Sequence, residues 1–517
     1  MRMSLTTKDG MGPRSLAVRI ALVAVLAGVF GAMHSGASWG SSTYDPSADP
    51  YSMQNITQAD GVQSWWNAGY TGKGVDVALI DTGVAPVAGL SGAGKVVNGP
   101  DLSLESQNPS FQHLDTNGHG TFMAGIIAGN DGQPGGYRGV APDARLLSVK
   151  VGDADGGVDV SQVIAAIDWV VQHRHDNGMN IRVINLSYGT NSSQPYTVDP
   201  LAFAVEQAWK AGIVVVAAAG NSGFQKYSVA QGLADPAYDP QIIAVGGADT
   251  MGTPTTSDDQ VASFSANAAS CSSSCRAPDL IAPGTHMQGL RVPGSYIDQN
   301  NPNGALGTQY FRGSGTSEAT AFTTGAVALL LQKYPQATPD QVKAMLTSSC
   351  DSLSGYNWKS QGCGELDMNK LLNAQLPYYA AQYNAPSTGI GSLEAARGTD
   401  HLSMNGVVLQ GEQDIFGQPF NSAAMAALEA AGSTWSGGTW NGSTWSGSTW
   451  SGNTWSGSTW SGSTWSGSTW SGSTWSGNTW SGSTWSGNTW SGNSWSGSTW
   501  SGSTWSGGSW LGATWGR

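Results

Sequence analysis

Between residues 55 and 374 the chain alternates short apolar runs with segments in which apolar positions recur every three or four residues. Residues 75–80 form one such run and end at Asp81; residues 181–186 and 213–219 form two more. Runs of this length without polar alternation predict strands covered on both faces. Residues 159–175 place Val163, Ile164, Ile167, Val170 and Val171 on one helical face, with Asp159 as N-cap. Residues 201–211 predict a second helix, with Leu201, Val205, Ala208 and Trp209 on one face and Gly212 as C-cap. Thr338-Pro339-Asp340-Gln341 is a capping box with proline at the first helical position, opening a helix to about Ser348. Strands and helices in this order predict an α/β fold: a mostly parallel central sheet with helices on both faces. Ligands bind such sheets beyond the carboxyl ends of the strands. Asp81, Ser187 and Asn221 all fall at or just past such ends.

The rhythm changes outside this region, and five parts are expected. Residues 1–37 read as a signal peptide: Arg14 and Arg19 precede an apolar run from Ile20 to about Met33, and Ser35-Gly36-Ala37 offers small residues for cleavage. That run is shorter than the roughly twenty residues needed to span a bilayer, so no stable transmembrane helix is expected after cleavage. Residues 38–54 are a short lead-in, 55–374 the main domain, 375–431 a linker and 432–517 a repeat tail. The formal charge of −13, with 11% charged residues, argues against a phosphate-binding surface and hence against nucleic acid. It suits an acidic protein outside the cell.

Three short segments carry candidate chemistry: Asp81-Thr82-Gly83, Gly118-His119-Gly120-Thr121 and Gly315-Thr316-Ser317. Any one alone is ordinary loop chemistry. Together, in this order, they offer a carboxylate, an imidazole and a hydroxyl, the roles that serine attack on a carbonyl needs. Of seven histidines, only His119 is flanked by glycines and followed by a helical pattern. Its near-neutral titration suits proton relay. Ser317 opens an apolar helix running to about Lys333, where backbone N–H groups favour nearby negative charge. The bland alternatives are turn capping for Asp81 and a left-handed turn for Asn221.

With their flanks, these segments resemble the subtilisin-like serine peptidases, the subtilases. Thr71-Gly72-Lys73-Gly74-Val75, Gly139-Val140-Ala141-Pro142, Asn185-Leu186-Ser187-Tyr188-Gly189, residues 278–284 and residues 362–367 extend the likeness over about 320 residues. The resemblance implies a secreted serine endopeptidase acting through Asp81, His119 and Ser317. It makes Asn221 and the N–H of Ser317 the oxyanion donors. Ser187, Tyr188 and Gly189 become an edge that pairs with extended peptide substrate, as in strand addition. Ala218, Ala219 and Gly220, with the region near Ala234, line the pocket for the residue before the scissile bond. Being small, they imply an apolar or aromatic residue there. Calcium sites are frequent in the family, but no ligand set matches here, so no metal or other cofactor is assigned. Phe122 stands where the family often has histidine, Glu318 where methionine is usual, and Ala321 where proline is expected. The Glu318 charge implies weaker cleavage before acidic residues and greater resistance to peroxide.

Four cysteines behind a signal peptide imply two disulfides. Of three connectivities, the nearest-neighbour set, Cys271–Cys275 and Cys350–Cys363, is the expectation. Closing the second loop stabilises by about 3 kcal/mol. A four-cysteine zinc site is the alternative; oxidation on export and the lack of a Cys-x-x-Cys pair weigh against it. In the tail, seventeen tryptophans fall every five residues from Trp435 to Trp515, in a Ser-Gly-Ser-Thr-Trp unit with small variations. Its glycine content argues against helix. A flexible tail with aromatic stickers is one reading, about 50 Å across as a random coil. A stacked β-solenoid is disfavoured, because each five-residue turn would have to bury a tryptophan. Regularly spaced indoles suit stacking on sugar rings, so the tail is expected to attach the protein to a glycan or cell-wall surface.

Overall fold

The computed structural model describes residues 44–445, apart from 109–110, 134, 224–231, 270–274 and 405–406, and beyond them the backbone of short strands between Thr454 and Ser506. The signal-peptide reading and Cys271 lie outside the described residues.

A ten-stranded sheet organises the chain. Its strands are β1 (Asp76–Asp81), β2 (Val96–Asp101), β3 (Arg145–Lys150), β4 (Ile181–Leu186), β5 (Val214–Ala218), β6 (Ile243–Asp249), β7 (Gln260–Val261), β8 (Leu280–Pro283), β12 (Cys350–Asp351) and β13 (Glu365–Leu366). The order is β12-β13-β8-β6-β5-β4-β1-β3-β2, with β7 beside β6. Only the β12–β13 and β6–β7 pairs are antiparallel. A small antiparallel sheet joins β9 (Met287–Leu290), β10 (Ala305–Leu306) and β11 (Tyr310–Gly313). Every residue of β1 and β5 is buried, as expected for strands covered on both faces. Helices α1 (His119–Ala128) and α4 (Thr316–Lys333) pack together on one face, and α2 (Val160–His173) and α3 (Pro200–Lys210) on the other.

The predicted caps are present. Asp159 accepts from Ser161 N while Gln162 reaches back to the Asp159 N–H. Thr338 and Gln341 make the same reciprocal pair at α5 (Pro339–Thr347). Asp199 accepts from Leu201 and Ala202 N at the start of α3, and Gly212 follows that helix in the left-handed region. Cys350 and Cys363 form a disulfide with 5.7 Å between their α-carbons, and Cys275 is also disulfide-bonded. Among the described residues no helix is long and apolar enough to cross a membrane.

Residues 375–431 differ from the expected linker. They and the first repeat units lie against α2 and α3 as a strap that joins the main core. Helix α6 (Leu393–Arg397) buries Leu393 and Ala396, and α7 (Ser422–Ala430) buries Met425. Trp440 is fully buried and donates from Nε1 to Asp168 Oδ2 at 2.9 Å. Trp435 donates to the Ala165 carbonyl at 3.3 Å. Arg397 and Asp159 are both fully buried and paired, Nε to Oδ2 at 2.6 Å. The other guanidinium N–H groups reach Asp159 Oδ1 at 3.3 Å, Glu394 Oε2 at 3.2 Å, and the Gly411 and Gln413 carbonyls. Asp159 thus both caps α2 and, with Glu394, pairs with the strap's buried cation. The sequence concealed this, because burial here depends on partners far away in the chain.

Beyond residue 445, strands from Thr454–Ser456 to Thr504–Ser506 pair in parallel with strands twenty residues on: Thr454 with Thr474, and Thr474 with Ser494. Three neighbouring ladders repeat the offset, as in Thr459 with Thr479. The backbone repeat is therefore four pentapeptides long.

Arg397→Ala is expected to leave Asp159 as an unpaired buried charge and cost about 3–5 kcal/mol. Urea denaturation checks this; a loss below about 1 kcal/mol contradicts the pairing.

Candidate active site

At the carboxyl end of β1 the chain turns through Asp81-Thr82-Gly83, and α1 begins against that turn. A Cβ on Gly120 would stand 2.1 Å from the Gly83 carbonyl oxygen. Only glycine allows so close an approach, and it brings His119 onto Asp81. His119 Nδ1 lies 2.8 Å from Asp81 Oδ1, which also accepts from Thr82 N at 2.8 Å. Asp81 is buried and the imidazole is about a third exposed.

Asp115, almost fully buried, fastens this turn to the helix start. Its Oδ1 accepts from Thr82 Oγ1 at 2.9 Å and Gly118 N at 2.7 Å. Its Oδ2 accepts from Thr121 N at 2.7 Å and from Thr121 Oγ1. Thr82 Oγ1 in turn accepts from Gly120 N at 2.9 Å. The sequence reading missed Asp115 and Thr82. An Asp three and six residues before backbone N–H groups at a helix start is a capping pattern, and that was the available signal.

Burial alone would depress the His119 pKa. The charge of Asp81, its hydrogen bond, and the charges of Glu318 and Asp115 outweigh burial and raise it to about 9. Glu318 is itself buried, which pushes its carboxyl above the usual range against the opposing pull of His119. Its side chain lies along Gly313 and Gly315, where added Cβ atoms would meet its oxygens at 2.4 and 2.8 Å. Phe122 packs on Gly289 and Gly313, filling the gap between α1 and the β9–β11 sheet. Ala321 is wholly buried.

Ser317 stands in the first turn of α4 and is 9% exposed. Its Oγ donates to the Ser187 carbonyl at 3.4 Å, while Ser187 Oγ donates to the Ser317 carbonyl at 3.1 Å. Asn185, buried, donates to Ser187 Oγ at 3.0 Å and accepts from Thr324 Oγ1 at 2.8 Å. This relay fixes the end of β4 against α4. Asn221 Oδ1 accepts from Thr316 N at 2.8 Å and Thr316 Oγ1 at 2.9 Å. With its oxygen held, the amide presents Nδ2 as a donor beside the residue before Ser317. Thr316 was also missed by the sequence reading; its hydroxyl further accepts from Gly220 N at 3.2 Å.

The predicted pocket residues come together. A Cβ on Gly189 would meet Ala234 Cβ at 2.6 Å, and one on Gly220 would meet it at 3.3 Å. Ala218 and Ala219 are buried at the end of β5, and Ala234 N donates to the Ala219 carbonyl. Tyr188 is half-buried against the core. His113 is buried, in keeping with a structural role. Among the described residues no group of three or more His, Cys, Asp or Glu is placed to hold a metal ion.

The sequence profile of the Subtilase family matches residues 72–366. Serine protease AprX of Bacillus subtilis (strain 168) is 38% identical over 309 residues, covering 59% of this chain and 67% of that protein. Subtilisin DY of Bacillus licheniformis is 35% identical over 314 residues, covering 60% of this chain and 95% of that protein. A crystal structure of a cold adapted subtilisin-like serine proteinase aligns with 30% identity and a TM-score of 0.41, over 55% of this chain and 86% of that one.

His119 is expected to titrate near pH 9 when followed by NMR of its ring protons. Glu318→Gln removes a negative neighbour and is expected to lower that value. A ring that titrates at or below an ordinary histidine's value of about 6.5 contradicts the electrostatics described.

Proposed function

This chain belongs to the subtilase family of serine-type endopeptidases, and we propose that it hydrolyses peptide bonds with Ser317 as nucleophile, His119 as general base and Asp81 as the carboxylate that orients the base. The observation that carries the reading is the 2.8 Å contact between His119 Nδ1 and Asp81 Oδ1, formed at the sheet's carboxyl edge. Asp81 fixes the tautomer that leaves Nε2 free to accept a proton. Productive attack requires Ser317 Oγ to leave the Ser187 carbonyl and donate to Nε2. The oxygen then bonds to the substrate carbonyl carbon as its proton passes to His119. Negative charge collects on the former carbonyl oxygen, where Asn221 Nδ2 and the Ser317 N–H donate to it. Collapse expels the amine, which takes the proton from His119 and leaves an acyl-enzyme. Water, deprotonated by the same imidazole, releases the acid.

Several features support finer readings. The small side chains at Gly189, Ala219, Gly220 and Ala234 suit an apolar or aromatic residue before the scissile bond. The edge at 187–189, partly exposed at Ser187 and Tyr188 and exposed at Gly189, suits pairing with extended peptide, which tolerates many sequences. Glu318, next in the chain to the nucleophile, disfavours acidic residues after the scissile bond. The charged and apolar pattern of residues 1–37 supports export. The regularly spaced tryptophans support attachment to a wall or glycan surface.

A fluorophosphonate probe is expected to label the full chain and not Ser317→Ala. In the relative subtilisin, loss of the corresponding oxyanion donor costs about 10²–10³ in turnover. A similar loss is expected for Asn221→Ala, read from kcat on a peptide anilide. Probe labelling that survives Ser317→Ala contradicts the assignment.

For the tail, the full chain is expected to sediment with isolated cell-wall material, and a chain ending at residue 445 to remain in the supernatant. Equal sedimentation of the two removes the attachment role.

A further inference from the structure

The strap does more than cover α2 and α3. In the sheet, β1 lies between β3 and β4, so the loops after β3 and β4 flank the end of β1 where Asp81 sits. Residues 392–402 contact both loops. On the β4 side, Thr190 Oγ1 donates to the Ala396 carbonyl, and Ser193 N to the Ala395 carbonyl at 2.9 Å. Asn191 N donates to Asp400 Oδ2 at 3.0 Å, and Asn191 Nδ2 to Thr399 Oγ1 at 3.1 Å. Gly398 passes so close that a Cβ there would stand 1.9 Å from the Asn191 carbonyl oxygen. On the β3 side, Leu402 lies over Gly157: its Cδ1 is 3.0 Å from where a Cβ on that glycine would be. The β3 loop is itself pinned, with Gly157 N on Asp153 Oδ1 at 2.8 Å and Asn117 Nδ2 on the Ala154 carbonyl at 2.9 Å.

A peptide that pairs with the 187–189 edge, with its reacting carbonyl at Ser317, runs between these two loops on the side of the residues preceding the scissile bond. Leu402 is partly exposed and is an apolar side chain that the strap brings against the β3 loop at Gly157. The strap also lies outside residues 72–366, so the family match does not account for it.

We propose that Leu402, carried by the strap, is a specificity-determining residue that forms the outer wall of the cleft and packs against an aliphatic side chain of the substrate upstream of the scissile bond. The proposal rests on the peptidase reading above.

Its test uses the full chain and a nested series of peptide anilides, lengthened one residue at a time before the scissile bond with leucine or aspartate at the outermost position. The parent protein is expected to gain in kcat/KM when the outermost residue reaches Leu402 as leucine. Leu402→Ala should lose about tenfold on that substrate, in line with removing an apolar pocket contact. It should leave the shortest substrate and the rate of fluorophosphonate labelling unchanged, and Leu402→Ile should retain the gain. A loss by the same factor at every length, or no loss at any length, overturns the proposal while the peptidase reading stands. A parent chain that takes no probe and cleaves no peptide overturns both.

Discussion

The 2.8 Å contact between His119 and Asp81 is the constraint to which the surrounding structure is fitted. It demands that the start of α1 touch the turn after β1, and the absent side chain of Gly120 permits that touch. It also demands that neither element slide. Asp115 prevents sliding by bonding to both: to Thr82 on the turn, and to Gly118 and Thr121 on the helix. The imidazole then sits among Asp81, Asp115 and Glu318, which hold its proton more tightly than an isolated ring would. An imidazole with a raised pKa is neutral only in alkaline solution, so the charges that position His119 also set where it is free to accept a proton.

The proposed nucleophile, Ser317, and the proposed oxyanion donor, Asn221, are held by a separate network. Asn185 and Ser187 tie the end of β4 to α4, and Thr316 orients the Asn221 amide. These side chains are buried polar groups whose donors and acceptors meet each other, which makes their geometry specific. Two networks, one on β1 and α1 and the other on β4 and α4, therefore converge at one edge of the sheet. The strap binds the same edge from outside, and its buried Arg397 pairs with the carboxylate that caps α2 as well as with Glu394. Strap and core thus share buried contacts, and the segment that carries Arg397 also touches the loop after β4.

Much of this was legible in the sequence. Apolar runs such as the one before Asp81 marked the central strands, and Asp159, Asp199 and Thr338 announced their helices through local cap chemistry. The order Asp81, His119, Ser317 pointed to the site because each residue sits in a short segment with its own turn glycines. What escaped notice depends on distant partners. Asp115 gains its role only once the Thr82 turn is folded against it. Trp435 and Trp440 belong to the same repeat as the residues after 445, yet they serve the core because Ala165 and Asp168 receive their N–H groups. A pentapeptide period could not reveal which units pack inward, nor that the backbone ladder repeats every twenty residues.

The most direct measurement is a crystal structure of the full chain after reaction with a peptidyl phosphonate. The account predicts phosphorus bonded to Ser317 Oγ, His119 Nε2 within hydrogen-bond distance of that oxygen, and the phosphonyl oxygen between Asn221 Nδ2 and the Ser317 N–H. An adduct on another residue, or a phosphonyl oxygen turned away from Asn221, would contradict it.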